Sequence, residues 1–146
     1  MTEDDDSTGS SAGPFLGALA IIVAVVIAMW LFSIFSGEES SDEQQVAYAA
    51  VGQNDALQRQ DYAAFRSYTC AAQHGTESEI LERQQKSEAE RGKRVLDDLG
   101  AVSIDGDRAT TEVTYSFEGD PDTKKTVPMT FVREGGGWKV CSTGPS

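Results

Sequence analysis

Two cysteines occur in the 146-residue chain, Cys70 and Cys141, and their separation excludes a CxxC redox centre or a paired-cysteine zinc site. Two arrangements fit: separately buried thiols, or one disulfide tying a helix to a strand. Closing a loop of about seventy residues would stabilise a small domain by on the order of 4 kcal/mol in the chain-entropy description, so the disulfide is the expectation. Persistent disulfides belong to oxidising compartments, which places the domain that carries them outside the cytoplasm.

Other chemistry-bearing residues are sparse. His74 is the single histidine; beside the turn residue Gly75, it is expected at a helix end near the dipole rather than in catalysis. Asp61 opens a helical stretch, where a carboxylate caps backbone N–H groups. No Ser/His/Asp grouping, glycine-rich phosphate loop or metal-ligand cluster occurs, so no catalytic residue, metal ligand or cofactor is expected. Asp105-Gly106-Asp107 and Asp120-Pro121-Asp122 lack the EF-hand spacing and its closing Glu, and read as turns.

The elements that must hold these residues follow from hydrophobic period. Ser41, with Glu43 and Gln44 following, caps a helix to Gln58 whose apolar face includes Val46, Ala49 and Ala50, weakened at Gly52-Gln53-Asn54. A second helix is predicted from Asp61 to about Ala72, with Tyr62, Phe65, Tyr68 and Thr69 on one face. Thr76 and Glu79 form a capping-box pattern for a third, reaching Leu99; its apolar residues stand only at the ends, Ile80 and Leu81, then Val95, Leu96 and Leu99. Beyond Gly100 the period becomes two. Val102 and Ile104 start a short strand, Asp105-Gly106 turns it, and Ala109, Thr111, Val113, Tyr115 and Phe117 alternate with polar residues. A turn cluster at Gly119 to Thr123 leads to Val127, Met129 and Phe131, with Pro128 marking an edge or bulge, and Glu134 to Gly137 makes a hairpin into Trp138 and Val140. The fold class is α+β: helices first, then an antiparallel sheet of about four strands with helices on one face.

From Phe15 to Phe35 the chain has no charged residue and only Ser33 as a polar side chain. A run of about twenty such residues crosses a bilayer core of roughly 30 Å, and Trp30, Phe32 and Phe35 cluster where rings favour the headgroup boundary. A cleaved signal peptide would need a basic leader, yet no Lys or Arg precedes Arg59. The expected organisation is a disordered acidic tail at 1–14, a transmembrane helix at 15–35, a linker at 36–41 and an α+β domain at 42–146. Both flanks of the apolar run are acidic, so charge bias does not orient it. The cysteines do: N-terminus in the cytoplasm, domain outside, in the plasma membrane. The formal net charge of −12 argues against nucleic acid as a partner.

Asp61-Tyr62-Ala63-Ala64, Tyr68-Thr69-Cys70, Asp105-Gly106-Asp107-Arg108-Ala109 and the closing Gly136-Gly137-Trp138-Lys139-Val140-Cys141, behind an apolar anchor, form an ordered set. From Gln44 to Cys141 the chain thus resembles small actinobacterial membrane proteins and lipoproteins whose outer domains are cystatin-like or nuclear-transport-factor-two-like, including those called lumazine-binding-like. The resemblance implies a curved antiparallel sheet wrapped around helices, and supplies a shape more than an activity. Isomerases and dehydratases of this cone shape carry an inward carboxylate or His, whereas the inward-facing strand positions here hold Ala, Thr, Val, Tyr and Phe. The expected function is a non-catalytic, extracytoplasmic protein-interaction or assembly module of the cell envelope. The alternative is binding of a small apolar ligand in the cone, walled by Tyr62, Phe65, Tyr115, Phe117, Met129 and Trp138, residues that equally suit core packing. A cone-fold isomerase or dehydratase ranks third.

Overall fold

The computed structural model describes residues 13–35, 40–143 and 145, with side chains described for 17–32 within the first segment. The chain divides into two units, Met1–Glu39 and Ser40–Ser146. In the first, helix α1 spans Gly13–Phe35. Its described side chains, from Gly17 to Phe32, are exposed throughout. Among the described residues no helix is long and apolar enough to cross a membrane. The span expected at 15–35 is therefore not shown. Of the tail expected at 1–14, residues 1–12 lie outside the described residues, whereas Gly13 and Pro14 already belong to α1; of the linker expected at 36–41, positions 36–39 lie outside them and Ser41 caps the next helix.

The second unit opens with α2, Asp42–Gln58, whose Ser41 and Gln44 form the capping box read from sequence. The helix is unbroken where Gly52-Gln53-Asn54 was expected to weaken it, because these three residues fasten it to its neighbours. Tyr68 lies over the bare face of Gly52, where an added Cβ would come within 2.5 Å of the ring. Gln53, buried, donates to Thr69 Oγ1 at 2.9 Å, and Asn54 donates to the Arg94 carbonyl at 3.3 Å. Tertiary contacts override weak propensity here.

Helix α3, Tyr62–Tyr68, is capped by Asp61, which accepts from the Ala64 N–H at 2.9 Å. It ends well before Ala72 because its exit joins the sheet: Thr69 bridges in parallel to Val140, and the Cys70 N–H donates to the Val140 carbonyl at 2.8 Å. A single 3-10 turn, Ala71–Gln73, follows. Helix α4, Glu77–Arg91, starts with the expected Thr76–Glu79 capping box but stops at Gly92, whose φ of 81° belongs to glycine. The predicted continuation to Leu99 is corrected: Arg94–Leu99 is strand β1.

The sheet accordingly has five strands rather than four, ordered β1-β3-β4-β5 with β2 also paired to β3. The others are β2 Ser103–Asp105, β3 Arg108–Phe117, β4 Asp120–Glu134 and β5 Gly137–Val140, all antiparallel. Asp120-Pro121-Asp122, expected in a turn, begins β4, because Phe117 already pairs with Asp120 and only Glu118-Gly119 connect them. Pro128 lies beyond the reach of β5, whose pairing with β4 begins at Phe131. At the final hairpin Gly135 and Gly136 both have positive φ, as a two-residue type I′ loop between Glu134 and Gly137 requires. Helices pack on this curled antiparallel sheet. The main core joins Val46, Ala49 and Ala50 of α2 to Val113, Met129, Phe131, Trp138 and Val140; a smaller cluster holds Ala56, Phe65 and Ile80.

Candidate functional site

Beside the smaller cluster the second unit opens into a cleft of about 470 Å³, within the usual range for small-molecule sites. Helix α4 forms its longest wall. Ile80, Arg83, Gln84, Ser87 and Arg91 recur three and four apart, so they share one face, and all line the cleft, as do Lys86 and Glu90. The polar middle of α4 thus has a physical reason: that stretch borders an opening rather than a core. Gln53 and Leu57 enter from α2, Phe65 from α3, and Thr69 from the position that caps its end. The chain after β5 supplies Ser142, Thr143 and Pro145, just beyond Cys141, which is bonded to Cys70.

Arg94, the first residue of β1, is at the cleft and only 7% exposed. Its Nε donates to Asn54 Oδ1 at 2.8 Å and its Nη1 to the carbonyl of Pro145. Both are neutral acceptors. Among the described residues no carboxylate is within ion-pair distance of it. Burial, which disfavours the charged form, pushes its pKa down to about 10; Tyr115 opposes the shift and Arg91 adds to it. The guanidinium is still cationic at neutral pH.

Arg91 covers the Phe117 ring with its guanidinium carbon 4.3 Å from the centroid and donates to Ser87 Oγ at 2.9 Å. Its Nε is buried with no hydrogen-bond partner. Arg83 and Lys86 are exposed. Arg83 is near enough to Glu79 to help lower that carboxyl's pKa, behind the larger effect of the hydrogen bonds from Thr76, yet neither it nor Lys86 is in an ion pair among the described residues. Glu90 is the one acid in the described lining. The cleft therefore gathers four of the chain's 12 Lys and Arg residues, and it can solvate an anion beside the apolar surface of Leu57, Phe65 and Ile80.

The residues singled out in the sequence fall differently. Of the six proposed walls, Phe65 alone lines the cleft. Tyr62 stacks on it at 6.0 Å and donates its hydroxyl to the Gly75 carbonyl at 2.6 Å. Tyr115 and Phe117 are buried and meet edge to face at 5.7 Å. Met129 and Trp138 are in the main core, with Trp138 Nε1 donating to Asp42 Oδ1 at 3.0 Å. His74 donates through Nε2 to the carbonyls of Thr69, at 2.8 Å, and Arg66, at 3.2 Å, at the end of α3. Among the described residues no group of three or more His, Cys, Asp or Glu converges as a metal site would require. Sequence reasoning missed Arg94, Arg91, Arg83 and Lys86. The available signal was α4 itself: a capped helix whose middle has no apolar residue to bury.

No family model matches the chain, and no curated protein matches it. Among solved structures it is similar to a protein of the NTF2-like family from Streptomyces avermitilis, described as a candidate dehydratase, with 21% identity over 68% of this chain and 91% of that one at a TM-score of 0.47. An NTF2-like candidate transpeptidase from Campylobacter jejuni shares 16% identity over 64% of this chain and 94% of that one, also at 0.47. An uncharacterised cystatin-fold protein from Novosphingobium aromaticivorans shares 14% over 64% and 92%, at 0.42. Likeness at this level carries no argument about activity.

Proposed function

We propose that this chain is a single-pass membrane protein whose domain lies outside the cytoplasm and binds a small molecule in the cleft without transforming it. One observation carries the proposal: a cation only 7% exposed, at a cleft, with no carboxylate within ion-pair distance among the described residues. A buried charge is costly unless it is paired, and natural cores seldom keep one without use. A bound molecule supplies the missing counter-charge. A binding role is favoured over a catalytic one because the described titratable lining consists of four cations and Glu90, with no arrangement of nucleophile and base. It is favoured over a protein-assembly role because the exposed apolar side chains of the domain, Tyr48, Val51 and Val95, form no comparably built recess.

Anchoring is supported by the uncharged run 15–35 and by the exposed apolar side chains of α1, among them Ile21, Met29 and Trp30. The outer location is supported by the Cys70–Cys141 disulfide. To test the binding role, the full chain is purified gently in detergent, denatured, and the released small molecules identified by mass spectrometry. Wild type is expected to release a compound that Ser87→Trp, which fills the cleft, does not. An identical set of compounds from both would overturn the reading.

A further inference from the structure

Resting on the binding role above, we infer that the ligand is an amphiphilic oxyanion: a carboxylate or phosphate-monoester head held by Arg94 and Arg91, with an apolar body against Leu57, Phe65 and Ile80. Among the described residues neither guanidinium is in an ion pair. Arg94 spends Nε and Nη1 on Asn54 and Pro145, both neutral, and a guanidinium carries five donors in a planar fork that matches carboxylate or phosphate. Arg91 keeps a buried Nε without a partner. An oxyanion between them would satisfy donors and charge together, and the low dielectric around the buried Arg94 guanidinium strengthens such a contact.

Leu57, Phe65 and Ile80 present apolar surface in the same cleft, which a bare inorganic ion leaves uncovered. The chain carries a net charge of −12, so a small anion is repelled on approach, and burial of an attached apolar group supplies the compensating affinity. Arg83 and Lys86, exposed on α4, give the anion a local cationic entry on an otherwise acidic molecule.

The test compares three probes by calorimetry on the full chain: 4-phenylbutyrate, the neutral 4-phenylbutanol, and inorganic phosphate. The expected result is a tenfold or greater preference for 4-phenylbutyrate over 4-phenylbutanol, and no saturation by phosphate at concentrations where 4-phenylbutyrate saturates. In Arg94→Met the preference should vanish while 4-phenylbutanol binds as before. If circular dichroism shows that variant unfolded, Arg91→Met makes the same comparison from the second guanidinium. Equal affinity for the acid and the alcohol in wild type would overturn the anionic head while leaving the cleft a binding site. Phosphate binding as tightly as the acid would overturn the apolar body and point to a free soluble anion. If none of the three probes bound, and the wild-type chain released no compound on denaturation, the binding role itself would fall.

Discussion

At the scale of single residues, the same chemistry serves two ends, and charge balance tells them apart. Asp42, at the start of α2, accepts from Trp138 Nε1 at 3.0 Å and from Arg133 at 3.0 Å. The Trp138 hydrogen bond holds its pKa below the ordinary value of 3.8, burial opposing and Arg133 assisting. A carboxyl whose pKa is lower when folded stabilises the fold above its unfolded pKa, and loses that effect as pH falls through the folded value. Asp42→Asn should therefore lower the melting temperature clearly near neutral pH and much less at a strongly acidic pH, below the lowered pKa of the folded carboxyl, where the native group is protonated too. Melts of both proteins at the two pH values check this; a constant difference would show that the carboxylate charge contributes nothing. Arg94 is the contrary case, a buried charge without a counter-ion among the described residues. Its residue type was readable in the sequence, but its isolation was not, because the absence of an acid nearby is a property of the packed structure. The bonded pair Cys70 and Cys141 was legible for the opposite reason: in a two-cysteine chain the choice lay between two free thiols and one bond.

Among elements, capping was the most readable feature and helix ends the least. The Ser41, Asp61 and Thr76 caps each form as their sequence patterns imply, since capping is local chemistry. The end of α4 was misread because Val95, Leu96 and Leu99 keep helical spacing, whereas Gly92, a C-cap signal, outweighs them once β3 offers β1 a partner. What enforces the break is the approach of two backbones: the Gly119 N–H donates to the Arg91 carbonyl at 2.9 Å, and a Cβ on Gly119 would come within 2.6 Å of that oxygen. Neither backbone can give way cheaply. Gly119→Ala should cost about 1–3 kcal/mol, the usual penalty for overpacking. Gly137→Ala, with open space around the added methyl, should stay within about 0.5 kcal/mol. Urea denaturation of the two variants decides it, and equal stabilities would remove close approach as the reason for the break. Because Arg91 and Arg94 flank this junction, Gly119→Ala should also weaken ligand binding.

At the scale of the whole molecule, an apolar helix precedes in sequence a domain whose two cysteines are bonded. Fold class was legible because hydrophobic period distinguishes the helical half from the strand half, even where individual boundaries moved. The cleft was not, because its walls come from α2, α3, α4, β1 and the chain after Cys141, a convergence that only packing creates. Membrane attachment makes a separate prediction. If the run 15–35 spans the bilayer, the full chain should stay in the membrane pellet through alkaline carbonate washing, whereas a chain beginning at Ser40 should be released. An impermeant thiol reagent applied to sealed cells should then label Cys70 and Cys141 only after reduction, and under conditions that expose both thiols. Carbonate release of the full chain would remove the anchor. Labelling that required lysis but no reduction would put the domain in the cytoplasm with free thiols. In that case the fold would lack a bond worth about 4 kcal/mol for so long a loop, the chain beyond β5 would be held by hydrogen bonds such as those of Cys141 and Ser142 to Thr130 and of Pro145 to Arg94, and the cleft would loosen on the side that this segment lines.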